Sequence, residues 1–421
     1  MTSRVTTGRQ WCYLPLLAIA TALLLAKSFA YARLFGVSQF GLFSQCLLIG
    51  NAAALFCGLG MQWVAQKQWP QHAAMQKSTR VDASVALALF VGMILTAGGF
   101  LAVLVAFMMG QLASPAAFLS LPVFSLSQYL FTVGVTSVRS ELDFLRFARL
   151  SVGRASLTAV LGLGVAALSD DVAAVLLTEA VATALIGMNA LGGGRLMRVA
   201  GLVRTSSVIV ETARLEMPSA IRLLALSAIS YALFNLDRWI GVMTLSSSAY
   251  GTYAAGALVL LAFDTLQAML NVAVQPLMAR RLATGDSRWV IRFAHACTAA
   301  TIGVGAVACV PLITALQWTV LRVLPGFEGS LTVISILVPA GFLRLADFYG
   351  TLSILRDREI VLAGGAIGIC LIALVSVVFA SRSGMVFTPI RLSVLALTLT
   401  IGAFVLRACV ACFPEKQDAH A

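Results

Sequence analysis

Long apolar runs alternate along the chain with short polar, mostly basic breaks. Runs near twenty residues, the helix length that crosses about 30 Å of hydrocarbon, lie at 11–32, 42–65, 82–110, 117–138, 150–168 and 172–191. After a basic stretch six more follow, at 216–236, 250–278, 293–320, 330–355, 360–380 and 390–412. This pattern predicts an all-α polytopic membrane protein of about twelve transmembrane helices, divided as 1–205 and 206–421. The outward breaks, at 111–115, 169–171 and 381–388, are too short to hold an extramembrane catalytic domain.

Polar residues inside these runs fall in stripes. In the eighth segment Asp264, Gln267, Asn271 and Gln275 stand at offsets 0, 3, 7 and 11, on one side of a helix. Ser125, Gln128, Thr132 and Thr136 form a weaker stripe in the fourth. A polar stripe in a membrane helix faces protein or water, never lipid. It serves either a hydrophilic lumen or hydrogen bonding between helices. Pro218, Pro276 and Pro339 are placed to kink the seventh, eighth and tenth segments.

The composition agrees with lipid as part of the solvent: 421 residues, 60% hydrophobic, 11% charged, mean hydropathy +0.95. This excludes an ordinary soluble enzyme, for which about a quarter of residues would be charged. The net charge of +12 does not indicate nucleic acid, because there is no polar domain to carry a basic cluster. It sorts instead by topology. With a cytoplasmic N-terminus, twenty-one cations fall inside, from Arg4, Arg9, Lys67, Lys77 and Arg80 through Arg195 and Arg280 to Arg407 and Lys416. Five fall outside (Arg33, Arg238, Arg322, Arg382, Arg391), and Lys27, Arg222 and Arg344 lie within helices, completing the 29. Both termini are therefore expected in the cytoplasm, beneath a basic surface that suits anionic membrane lipid.

The N-terminus has two readings. Arg4 and Arg9, the apolar stretch to Ala26 and then Ser28-Phe29-Ala30 resemble a cleavable signal peptide. Lys27 at the end of the apolar stretch, and a motif that straddles the cleavage point and recurs later, favour a retained helix.

Site chemistry is sparse. Cys12, Cys46, Cys57, Cys297, Cys309, Cys370, Cys409 and Cys412 sit in apolar runs as small hydrophobes, and the lone Cys409/Cys412 pair has no companion. His72, His295 and His420 are too scattered for a metal cluster, and no phosphate-cradling glycine loop is present. No enzymatic activity, cofactor or metal is expected. Without such a loop, any work done by the chain would draw on an H+ or Na+ gradient, on consumption of its product, or on a partner.

The chain repeats itself. Arg33-Leu34-Phe35-Gly36-Val37, followed by Phe40-Gly41-Leu42-Phe43, returns as Arg238-Trp239-Ile240-Gly241-Val242, followed by Tyr250-Gly251-Thr252-Tyr253. Each copy joins the first two segments of a six-segment half, so both halves share one orientation, a parallel repeat. Such halves usually enclose a central cavity.

Ala32 to Gly36 with Gln39 to Phe43, then Gly58-Leu59-Gly60, resemble the first hairpin of bacterial O-antigen and exopolysaccharide flippases. Asp237-Arg238, Tyr250 to Ala254, and Val274-Gln275-Pro276 before Arg280 are similar to the opening of the second half in that family. It belongs to the multidrug/oligosaccharidyl-lipid/polysaccharide exporter superfamily. The resemblance implies two six-helix bundles in a V, alternating access, and a place in the bacterial cytoplasmic membrane. The implied cargo is an undecaprenyl-pyrophosphate-linked oligosaccharide moved from inner to outer leaflet. A polysaccharide polymerase and a chain-length regulator are the implied partners, with no nucleic acid.

A diphosphate cargo needs cations at membrane depth. Lys27 in the first segment and Arg222 in the seventh supply one from each half, and together would clamp it. The alternatives are snorkelling for Lys27 and an interfacial anchor for Arg222. Gln128, Asp264, Gln267, Asn271 and Gln275 would meet the sugars. Arg344 and Asp347, three apart, are expected to pair along one helix side. Asp237 and Arg238 sit at a helix end. Glu179, mid-helix with no cation near it in sequence, is a candidate ion carrier, as is Asp264, or else a hydrogen-bonded interhelical contact. Two other functions remain: a drug/cation antiporter of the same superfamily, which would want an acidic lumen, and a membrane-embedded polymerase or acyltransferase, which would want a large outer loop.

Overall fold

The computed structural model describes residues 13–74, 78–109, 115–141, 143–203, 206–283, 286–356 and 358–412. Arg4, Arg9, Cys12, Lys77, Arg204, Lys416, His420 and the break at 111–114 lie outside the described residues. Fourteen helices follow one another, with no strand among the described residues. They are α1 (Leu14–Cys57), α2 (Met61–Ala74), α3 (Ser78–Met108), α4 (Pro115–Ser140), α5 (Phe144–Leu168), α6 (Val172–Leu191) and α7 (Gly193–Val203). Then come α8 (Ser206–Thr244), α9 (Ser247–Ala283), α10 (Ser287–Val323), α11 (Ser330–Leu345), α12 (Phe348–Leu355), α13 (Glu359–Arg382) and α14 (Pro389–Cys412).

Among the described residues, eleven helices are long and apolar enough to cross a membrane, the first being Pro15–Cys57 and one being Ser330–Leu355, which joins α11 to α12. The first is two spans. Gly36 has φ 68° and ψ 177°, a conformation essentially reserved for glycine, and it interrupts the helix. The ring centroids of Tyr31 and Phe43 are 4.9 Å apart, whereas twelve residues of straight helix advance about 18 Å. The chain therefore doubles back at Gly36. The two arms, with the other ten spans, make the expected twelve, six before the basic stretch and six after it. The short helices α2 and α7 were not anticipated: they fall where the sequence reads as basic breaks.

Packing divides the chain into two units, Met1–Ala228 and Ile229–Ala421, parting within α8. Each unit shows the repeat. The rings of Phe40 and Phe43 lie 6.4 Å apart, and those of Tyr250 and Tyr253 also 6.4 Å, all four buried. Arg146, at the start of α5, donates to the carbonyls of Asn189 and Ala190 at the end of α6. Arg356 and Arg358, just before α13, donate to those of Ala411 and Val410 at the end of α14. In both units an arginine at or just before the start of the fifth span thus caps the sixth span's open carbonyls, where a cation also suits the helix dipole. The copies differ in one respect. Gly36 stands four residues before Phe40, so it must turn the chain itself. Gly241 stands nine before Tyr250 and stays helical, because the turn passes to Leu245 and Ser246.

Between α6 and α8, the amphipathic α7 is held to the start of α3: Arg195 Nε and Arg198 Nε lie 2.9 and 2.7 Å from the Asp82 carboxylate. Ser84 donates to Glu216 at 2.6 Å and accepts from the Trp69 indole at 2.8 Å, tying the first part of α8 to α3 and α2.

Candidate functional site

In each unit, charged side chains from different apolar helices meet in a buried cluster. In the first, Lys27 Nζ lies 2.6 Å from Glu179 Oε1, joining the first arm of α1 to α6. Tyr31, one turn beyond Lys27, donates its hydroxyl to the same oxygen at 2.7 Å. Lys27 also reaches Thr158 Oγ1 on α5 at 3.5 Å. Lys27 is 8% exposed and Glu179 4%. An unpaired cation at a helix centre costs about 2.5 to 3.5 kcal/mol on insertion scales, and here a carboxylate offsets that. The cluster closes on Gly162, where an added Cβ would stand 1.9 Å from the Tyr31 hydroxyl. Beside it Arg154 donates to Gln128 Oε1 at 2.5 Å and lies 4.4 Å from the Phe131 ring.

Glu179 is therefore not a stranded carboxylate, because its cation comes from another helix. Lys27 is likewise not free for a cargo phosphate in this arrangement. Arg222 is exposed on α8 and bonds Ser219 on its own helix, and no bond links it to the Lys27 cluster among the described residues. The structure does not assemble the expected clamp.

In the second unit a cavity of about 190 Å³ is lined by Phe234, Asp264, Gln267, Leu343, Arg344, Asp347, Thr400, Ala403, Phe404 and Arg407. One water needs about 10–15 Å³ of such space, so the cavity admits a substantial polar group. Arg344 Nη1 meets Asp264 Oδ2 at 2.9 Å, Nη2 donates to the Phe234 carbonyl at 3.1 Å, and Nε reaches Thr400 Oγ1 at 3.4 Å. Arg407 pairs with Asp347. Both guanidinium carbons lie 4.8 Å from the centre of the Phe234 ring, within cation–π range.

The expected pairing of Arg344 with Asp347 is replaced by these two cross-helix pairs. The physical reason is a break in the helix. α11 ends at Leu345, and Asp347 caps α12 by accepting the Gly350 amide at 3.0 Å, so the i, i+3 relation is not one of continuous helix.

The first two residues of the α9 stripe, Asp264 and Gln267, line this cavity. Gln267 donates to the Asp347 carbonyl at 3.1 Å, Asn271 Oδ1 accepts from Thr351 at 3.1 Å, and Gln275 is exposed. Gln267 thus serves helix contact as well as lining, and Asn271 serves helix contact. Asp237, buried in the same unit, accepts from Tyr253, and Arg238 donates to the Ala257 carbonyl at 3.2 Å. Arg407, Phe234, Tyr31 and Arg154 were missed as site residues. The signal for Arg154 and Arg407 was available, since both stand inside apolar runs although they count toward the basic face.

No family model and no curated protein sequence matches the chain. Solved structures do. The eukaryotic MATE transporter AtDTX14 superposes with a TM-score of 0.56 at 13% identity, over 96% of this chain and 95% of that one. An inward-facing multidrug resistance MATE family transporter of the MOP superfamily gives 0.55 at 13%, over 94% and 92%. A MOP superfamily transporter from Pyrococcus furiosus, whose binding pocket of reversed polarity suggests a different function, gives 0.52 at 14%, over 94% of each chain. At these identities the likeness is one of fold.

Proposed function

We propose that this chain is a carrier of undecaprenyl-pyrophosphate-linked oligosaccharide, moving it by alternating access from the inner to the outer leaflet of a bacterial cytoplasmic membrane. In this reading both termini are cytoplasmic, and the product feeds O-antigen or exopolysaccharide assembly alongside a polymerase and a chain-length regulator. The observation that carries the reading is the second-unit cavity, where Arg344 and Arg407 converge on Phe234 at membrane depth. Guanidinium groups make strong, often bidentate bonds to phosphate. Gln267 beside them adds an amide of the kind that sugar hydroxyls need. The Pyrococcus furiosus transporter is set apart by the polarity of its pocket, and the arginine pair here is read in the same sense. The fold likeness to MATE transporters supports carriage rather than catalysis, with energy from an H+ or Na+ gradient or from removal of the product.

One observation favours a second reading. The Asp264 side chain is 43% exposed, and an accessible carboxylate suits a cationic drug. Complementation separates the two: cells lacking this chain should regain surface polysaccharide with the wild type and not with Arg344→Ala/Arg407→Ala. Restored drug resistance without restored polysaccharide would select the antiporter.

A further inference from the structure

The two carboxylates of the second-unit cavity are held very differently. Asp347 is 6% exposed and is built into the backbone, its Oδ1 capping α12 through Gly350 while Oδ2 pairs with Arg407. Asp264 is 43% exposed and its carboxylate meets Arg344 through Nη1 alone. Arg344 itself is fixed: at 4% exposure it is also held by the Phe234 carbonyl, Thr400 and the Phe234 ring. The cation stays in place whatever Asp264 does. Two arginines and two aspartates balance the cavity. If Asp264 turns away, one uncompensated positive charge remains beside about 190 Å³ of space, a state that a membrane interior tolerates only with a new counter-ion.

We infer that Asp264 is a built-in competitor for the anion site: its carboxylate occupies Arg344 when the carrier is empty, and a phosphate-bearing group displaces it on loading. This rests on the reading above and adds the exchange. The cargo anion would be traded for an internal one, so the arginines never face hydrocarbon unpaired. Asp264 therefore weakens binding rather than strengthening it, the opposite of a sugar-binding or cation-binding role.

The test uses the full chain purified in detergent, with inorganic pyrophosphate as probe and titration calorimetry as readout. Removing the competitor's charge with Asp264→Asn should tighten binding by about tenfold, and Arg344→Gln or Arg407→Gln should weaken it by at least about tenfold. Unchanged or weaker binding in Asp264→Asn would overturn the exchange. A measurement on the unaltered protein guards against a variant that fails to fold. Carbodiimide modification of Asp264, followed by peptide mass spectrometry, should speed up when pyrophosphate is added, and slower modification would overturn the proposal. Micelles containing phosphatidylglycerol provide a second arm. If they displace pyrophosphate with the same Asp264 dependence, the exchange stands and the phosphate is a lipid headgroup's. If the exchange holds and polysaccharide export does not depend on this chain, only the cargo assignment fails.

Discussion

Lys27 Nζ and Glu179 Oε1 meet at 2.6 Å although 152 residues separate them in sequence. With both side chains buried, each makes the other tolerable in the bundle. Removing one partner leaves an uncompensated buried charge, a loss of about 3–5 kcal/mol, whereas removing both with apolar groups of similar size is far milder. Lys27→Met and Glu179→Met should each lower the thermal midpoint in detergent sharply, and Lys27→Met/Glu179→Met should lose much less than the two single losses combined. Additive losses would show that the pair is not energetically coupled.

Gly162 leaves room for the Tyr31 hydroxyl. An alanine Cβ there would stand 1.9 Å from that oxygen, and overpacking of this kind destabilises by about 1–3 kcal/mol. Gly162→Ala should lower stability, and adding Tyr31→Phe, which deletes the clashing oxygen, should restore part of it. Tyr31→Phe alone should still be destabilising, because Glu179 loses a donor. Unfolding midpoints of the three variants check the pattern.

Gly36 turns the chain between its first two spans at φ 68°, with nothing within 4 Å of an added Cβ. The loss in Gly36→Ala is therefore conformational, about 1–3 kcal/mol. Gly98, on α3, likewise has nothing within 4 Å but carries no positive φ, so Gly98→Ala should be neutral or stabilising. Equal losses at the two positions would contradict the hairpin at Gly36.

Span lengths and the two-fold repeat were legible in the sequence because a bilayer fixes how long an apolar run must be, and because Arg33 to Phe43 recurs at Arg238 to Tyr253. The α9 stripe was legible for the same reason: lipid forbids its polar face. The partners were not. Glu179 finds Lys27, and Arg344 finds Asp264, across helices whose mutual rotation no single-helix pattern contains. Spacing misled at Arg344 and Asp347, where the helix ends between them. Arg407 was absorbed into the basic face although it lines the cavity, because a count of cations near helix ends does not ask which way each one points.

The arginine caps on α6 and α14 place the fourth-to-fifth connection of each unit beside the end of its sixth span. Single cysteines introduced near Glu141 and near Arg358 should therefore react with a membrane-impermeant thiol reagent from the same side, in a background lacking the native cysteines. Labelling from opposite sides would contradict the parallel repeat.

The most direct test of the central claim is reconstitution of the full chain in liposomes carrying a fluorescent undecaprenyl-pyrophosphate-linked oligosaccharide, with its arrival in the opposite leaflet read by an impermeant quencher. Wild-type protein should move the lipid, and Arg344→Ala/Arg407→Ala, inserted to the same level, should slow it to the rate of protein-free liposomes. Movement at the wild-type rate in that double variant would contradict the assignment of the arginine pair to the cargo, and no movement with the wild type would contradict the flippase itself.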